Sequence, residues 1–324
     1  MSKTYEYNSI LAPFIQGLID EKRSMGFLYD DTAYVLKEFD QYCVAKDLSS
    51  LLVTREFLDD WMKRKETEGE YNQTGRVSAS RQLLLYMAGL GHEVYIPVDF
   101  TTKKVHPPHI FTHPELQAFF DELDAFVPTP KGGKCRIWEY RAFFRILYCT
   151  GMRCGELMKM PVSEVDLVSG TMTVYQSKGH KDRVIYLADD VRYLCIDYLK
   201  YITREIGYEP YWLFPGRNPD DHMSYSAMNY NFNRFWDATS YAGKVDKKPT
   251  VHSFRFTFVV DRMNDWMEHG VDLDVMLPYL SKQLGHKGVR ETFYYYIMTN
   301  DVNRIIKQKD RFGRKVIPKL EVKL

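Results

Sequence analysis

Apolar residues recur at helical spacing through residues 8–94. Ile10, Phe14, Ile15, Leu18 and Ile19 fall on one stripe, and Tyr34, Val35, Leu36, Phe39 and Cys43 on a second. Thr54 with Leu58, Trp61 and Met62 predicts a third helix. Ser78 to Leu90 predicts a fourth, stopped by Gly91. The periodicity then vanishes over 96–108, where three prolines and the adjacent Lys103 and Lys104 read as a linker. Helical signals resume at Thr112, where Glu115 completes a capping box and Pro114 suits a first turn. Further helices are predicted over 138–149, from Thr150, and from Ser224 onward. Between them Thr171–Ser177 and Arg183–Leu187 alternate as two strands around the turn Lys178-Gly-His-Lys-Asp182. The fold class is mainly α with a small antiparallel β element.

Composition bounds this picture more than it sharpens it. A length of 324 residues suits about two domains at the usual ~100–200 residues each. The N-terminus lacks the apolar run of a signal peptide, and no stretch approaches the ~18 apolar residues of a membrane span, so a cytoplasmic protein is expected. Five cysteines without metal-ligand spacing (Cys43, Cys135, Cys149, Cys154 and Cys195) read as reduced, mostly buried thiols. Residues 1–105 hold 13 basic and 16 acidic side chains, net −3, and residues 106–324 the remaining 31 and 27, net +4. Any nucleic-acid surface must therefore be a local stripe and not a global excess.

Four segments of the second domain carry chemistry: Thr150-Gly-Met-Arg153-Cys-Gly-Glu156-Leu157, Ser177-Lys178-Gly-His-Lys-Asp-Arg183, His252-Ser-Phe-Arg255, and Leu284-Gly-His286 followed by Tyr294-Tyr-Tyr296. Cleaving a phosphodiester needs a nucleophile, a proton donor for the leaving oxygen, and cations around the non-bridging oxygens. Arginine suits phosphate because its planar fork donates two parallel hydrogen bonds and keeps its charge. Histidine can exchange protons near neutral pH. A tyrosine, with an ordinary pKa of about 10, becomes a useful nucleophile beside such cations.

In this order and spacing the segments resemble the tyrosine recombinase (phage integrase) family, and the similarity extends over essentially the whole chain. The resemblance implies a helical core-binding (SAM-like) DNA-binding domain over 1–95, an interdomain linker over 96–109, a catalytic domain over 110–312 and a tail over 313–324. It implies Arg153 and Arg255 as clamps on the scissile phosphate and Lys178 as general acid. His252 and His286 would assist proton transfer and hold the phosphate, while Tyr295 attacks to give a 3′-phosphotyrosyl bond. No metal, nucleotide or other cofactor is expected. The implied partners are double-stranded DNA, further copies of the chain (a tetramer on two DNA sites) and accessory recombination factors, with no membrane. The chain looks like the two-domain Xer-like or transposon-encoded enzymes, and DNA integration, transposition and resolution all remain open.

The sequence departs from the family pattern at three places. Phe256 follows Arg255 where a histidine is usual. Arg255 and His286 are 31 positions apart, which predicts a small insertion within Asn264–Pro278. Three consecutive tyrosines point ~100° apart on a helix, so only one can face a phosphate, and spacing from His286 selects Tyr295.

Each piece alone also has a structural reading. Arg153 can pair with Glu156 on its own helix, His252 can cap, Lys178 can sit in an ordinary turn, and His286 can end a helix. The joint pattern outweighs these. Arg183, with His180 and Lys181, either touches DNA or merely solvates the hairpin. Candidate DNA contacts are Arg76, Arg81 and Gln82 on or before the fourth helix, and Asn229, Asn231, Asn233 and Arg234 on the helix after Ser224. Lys103 and Lys104 in the linker complete the set. The basic tail beyond Tyr296, from Arg304 to Lys323, reads as a solvated end or as a segment that docks on a neighbouring protomer. Two alternatives stay open: a type IB topoisomerase-like or telomere-resolvase activity, and a non-catalytic DNA-binding protein of the same fold.

Overall fold

The computed structural model describes residues 4–98, 108–127, 135–177 and 181–297, without the side chains of 135–137, 176, 177, 181 and 295–297. The chain divides into two compact units, Met1–His106 and Pro107–Leu324.

The first unit is helical: α1 (Ala12–Ser24), α2 (Asp30–Ala45), α3 (Arg55–Met62) and α4 (Glu70–Gly89). Most of the stripes expected of α1 and α2 points inward, with Ile15, Leu18, Ile19, Leu36, Phe39 and Cys43 essentially buried in one core with Leu83, Leu84 and Met87 of α4, whereas Ile10 and Tyr34 are exposed. Thr54 caps α3 by accepting from the Phe57 N–H. Helix α4 begins at Glu70, eight residues ahead of the expected Ser78. Its first two turns are largely polar and carry no apolar stripe to announce them. Instead they are held by Arg76, which pairs with Glu68 and stacks on Trp61.

The second unit is mainly α around a small antiparallel sheet. Its elements are α5 (His113–Ala125), α6 (Cys135–Thr150), α7 (Cys154–Met158), β1 (Val165–Asp166), β2 (Thr171–Ser177) and β3 (Lys181–Tyr186). They are followed by α8 (Asp189–Ile206), α9 (Tyr225–Ala238), α10 (Ser253–Glu268), α11 (Leu273–Leu284) and α12 (Val289–Ile297). The capping box on α5 forms as expected, Thr112 accepting from the Glu115 N–H and Glu115 accepting from the Thr112 N–H. Ser224 caps α9 through the Ala227 N–H. The β2–β3 pairing sets Thr173 opposite Val184, and β1, two residues long and not foreseen, adds to the free side of β2. Among the described residues the strands therefore number three, in the order β1-β2-β3.

Phe111, Phe119, Phe144, Phe232, Phe235 and Phe254 form the centre of the main core, drawn from α5, α6, α9, α10 and the segment before α5. A smaller core joins α10 and α11 through Val259, Met263, Leu277, Leu280 and Leu284, with Val289 and Phe293 of α12 packed against it. The segment Asn264–Pro278 comprises the end of α10, a turn and the first half of α11. Cys43 and Cys195 are buried free thiols, each with its pKa pushed up to about 12 by burial.

Candidate active site

The first segment is set by a turn. Gly151 ends α6 with φ +64°, a left-handed conformation, and a Cβ there would lie 2.8 Å from Phe258 Cε1. This turn delays the next helix to Cys154, where a start at Thr150 was expected, and puts Arg153 in the N-cap position of α7. The Arg153 side chain is 27% exposed. Its Nη1 donates to Glu156 Oε1 at 3.0 Å, and its Nη2 lies 3.5 Å from the Gly285 carbonyl. The helix-internal pairing with Glu156 is thus real, but it accompanies a contact 132 residues away.

The third segment opens α10. Arg255 is 1% exposed, and its fork reaches backbone from two distant loops. Nη1 donates to the Gly151 carbonyl at 2.7 Å, while Nη2 donates to the Leu284 carbonyl at 2.7 Å and to His286 Nε2 at 2.9 Å. These bonds span 104, 29 and 31 positions of sequence. Arg153 and Arg255 thereby address consecutive carbonyls, those of Gly285 and Leu284.

A guanidinium has no acceptor, so the His286 Nε2 that meets Arg255 must be the bare nitrogen of the ring. Nδ1 then carries the hydrogen and donates to Thr292 Oγ1 of α12 at 2.8 Å. Burial, followed by the Arg255 charge, pushes the His286 pKa down to about 4, which keeps this neutral tautomer at neutral pH. His252 stands just ahead of α10, exposed on one side and with its ring edge-on to Phe256, centroids 5.1 Å apart. Its pKa is also pushed down to about 4, first by the protein that surrounds the ring and then by the Arg255 and Arg153 charges. Two neutral imidazoles thus sit beside two arginines. Among the described residues no group of three or more His, Cys, Asp or Glu side chains could hold a metal ion.

The order and convergence of these residues coincide with a family match. The model for the phage integrase family aligns to residues 111–302, more than half of the chain. The chain belongs to the phage integrase family. It is a recombinase of the tyrosine class, an enzyme of DNA strand cleavage and rejoining. The integrase is 24% identical over 292 residues to y4rB of Sinorhizobium fredii (strain NBRC 101917 / NGR234), assigned as an integrase/recombinase; the alignment covers 87% of this chain and 90% of y4rB. It is 25% identical to tyrosine recombinase XerD of Staphylococcus epidermidis (strain ATCC 12228 / FDA PCI 1200) over 58% of this chain and 60% of XerD. Its fold is similar to that of the Tn1549 transposon integrase in complex with transposon right end DNA, with a TM-score of 0.63 and 16% identity over 91% of this chain and 99% of the other.

Two of the predicted catalytic residues of the integrase fall, wholly or by side chain, beyond what is described. Lys178 lies outside the described residues, as do Lys103, Lys104, His180 and the tail from 298 onward. Position 295 belongs to α12, but the Tyr295 side chain lies outside the described residues. Tyr294 is exposed.

The candidate DNA contacts separate by burial. Arg76, expected as a DNA contact, is 3% exposed and is engaged inside the fold. It forms a two-pronged pair with Glu68 (Nε–Oε1 2.9 Å, Nη2–Oε2 2.8 Å), donates to the Trp61 and Lys63 carbonyls, and stacks on Trp61. Asn231 is buried as well, donating to Tyr140 Oη and the Ala227 carbonyl. Gln82 is exposed and accepts from Tyr29 Oη, and Arg81 donates to the Pro97 carbonyl. Asn233 donates to the Asn229 carbonyl, while exposed Arg234 covers the ring of Phe126.

Sequence reasoning missed Arg183. It neither touches DNA nor solvates the hairpin, because its side chain is 2% exposed. Its Nη1 and Nη2 donate to the two carboxylate oxygens of Glu156 at 3.0 and 2.5 Å, and its Nε donates to the Gln283 carbonyl at 2.7 Å. The period of two along β3 held the signal, since Arg183, Ile185 and Leu187 share one face and all three are buried.

Proposed function

We propose that this integrase cuts and rejoins DNA at specific sites, with Tyr295 as the nucleophile. The observation that carries the reading is the meeting of Arg153, Arg255 and His286, from three segments far apart in sequence, at the Gly151 turn and the Leu284–His286 loop. Thr292 of α12 is hydrogen-bonded to His286, and positions three apart on a helix share a face, so position 295 belongs to the same side of α12.

In this reading the Tyr295 phenol oxygen attacks the scissile phosphorus and the bond from phosphorus to the 5′ oxygen breaks. The product is a 3′-phosphotyrosyl bond and a 5′ hydroxyl. Neutral His252 accepts the phenol proton, and Lys178 donates one to the departing oxygen. Arg153 holds the non-bridging oxygens with its exposed edge, and Arg255 adds its charge from the buried side. His286 fixes the Arg255 fork. Both its ring nitrogens are engaged, which favours this positioning role over the proton transfer first expected of it. Attack by a 5′ hydroxyl from a partner strand reverses the chemistry without metal or nucleotide.

Residues 1–95 then form the core-binding domain, 96–109 the linker, 110–312 the catalytic domain and 313–324 the tail. Lys103, Lys104, Arg81, Gln82, Asn229, Asn233 and Arg234 remain the proposed DNA contacts. The same reading puts the protein in the cytoplasm with the nucleoid, acting as a tetramer on two sites, in the service of a mobile element. The similarity to a transposon integrase supports that last assignment. The test is a nicked substrate carrying the target site. The wild-type chain should trap a covalent adduct, whereas Tyr295→Phe should bind the site and trap none. An undiminished adduct in the variant would move the nucleophile to Tyr294 or Tyr296.

A further inference from the structure

We infer that Arg183 is a positioning residue for the cleavage reaction: it neutralises Glu156 so that Glu156 can orient Arg153 without cancelling its charge. This rests on the recombinase reading above. Glu156 is 12% exposed and its carboxylate has four acceptor sites. Two are taken by the Arg153 Nη1 and backbone N–H, and two by the Arg183 fork. The carboxylate is thus fully saturated between two cations. A lone Arg153–Glu156 pair would present a net charge of zero to a phosphate. The Arg153–Glu156–Arg183 triad presents +1, with Arg153 as its more exposed cation.

Geometry makes Arg183 more than a counter-charge. Through Nε and the Gln283 carbonyl it ties strand β3 to the end of α11, just ahead of the Leu284–His286 loop. Gly285 follows with φ +68°, and a Cβ there would meet Arg183 Nη1 at 3.1 Å and Cδ at 3.2 Å. The Arg183 side chain therefore packs closely against a residue whose carbonyl faces Arg153. One buried side chain connects the hairpin, the first arginine and the histidine loop. Burial works to raise the Glu156 carboxyl pKa, but the hydrogen bonds and charge of Arg183, followed by those of Arg153, outweigh it and hold it below the usual carboxylate range.

The test is a double-mutant cycle on the full chain with Arg183→Met, Glu156→Gln and the pair. It is read in single-turnover cleavage of a nicked site, in affinity for the same DNA, and in urea unfolding. Arg183→Met leaves Glu156 to cancel Arg153. Cleavage should fall about a hundredfold, the scale of losing one preorganised donor at a transition state, while DNA affinity moves less than about threefold. The double variant keeps a neutral hydrogen-bonding partner for Arg153 and should recover at least about tenfold of that loss. Arg183→Lys preserves charge but not the fork, and should cleave faster than Arg183→Met, which keeps the idea testable if the methionine variant folds poorly. Additive losses in the cycle, or a loss of DNA affinity as large as the loss of cleavage, would overturn the inference. Unfolding separates it from the wider reading. If the wild-type chain forms no adduct, recombination fails as the function, whereas independence of the two substitutions in urea refutes the Arg183–Glu156 brace itself.

Discussion

Replacing Gly151 with alanine should weaken the second unit and slow cleavage together, through the turn that the residue forms. At φ +64° an L-residue is disfavoured by roughly 1–2 kcal/mol. The new Cβ would also lie 2.8 Å from Phe258 Cε1 and 3.1 Å from Cγ, and Phe258 is itself 5% exposed. Overpacking of this kind costs about 1–3 kcal/mol, for a total of about 2–5 kcal/mol. In a unit of this size (Pro107–Leu324) each kcal/mol lowers Tm by about 2–4 °C. Urea unfolding followed by circular dichroism, alongside a thermal scan, measures the effect. The Gly151 carbonyl receives Arg255 Nη1 at 2.7 Å. Displacing it should therefore lower single-turnover cleavage by at least about tenfold at a temperature where the variant is fully folded. Stability within about 0.5 kcal/mol of wild type would refute the turn argument, and unchanged cleavage would refute the link to Arg255.

Further outcomes follow from burial and charge. Arg76→Ala should lower stability by about 3–5 kcal/mol, because Glu68 loses a buried partner, and should leave the salt dependence of DNA binding unchanged. A flatter salt slope with intact stability would reinstate Arg76 as a phosphate contact. His286 has a folded pKa of about 4 against an ordinary 6.5, so below pH 6.5 the unfolded chain binds the proton more readily than the fold. Its contribution is full above pH 6.5 and is lost as pH falls toward 4. His286→Asn should therefore show a shallower fall in Tm over that interval, and parallel curves would contradict the neutral assignment. Since His252 is also neutral, cleavage should show no inflection near pH 6.5, and a clear step there would assign the proton differently.

Local chemistry was the most legible part of the chain. Caps at Thr112 and Ser224 depend on residues within three positions, and each formed as read. The hairpin strands followed from alternation. What escaped was set by partners far away. Arg76 looked like a surface arginine because nothing adjacent reveals that Glu68 and Trp61 fold back onto it. Arg183 sat on a strand face shared with Ile185, yet a charged residue at an inward position only makes sense once Glu156 is seen 27 residues earlier. The surroundings of the two site histidines diverge for a similar reason. His286 is locked between Arg255 and Thr292, whereas His252 keeps an open side, and spacing alone treats them alike.

Peptide mapping of a trapped adduct tests most directly whether Tyr295 attacks the scissile phosphorus. Wild-type chain is reacted with a nicked site, the complex is digested, and the nucleotide-bearing peptide is sequenced by mass spectrometry. A 3′-phosphate ester on Tyr295 is expected. An ester on Tyr294 or Tyr296, or on a residue outside α12, would contradict it.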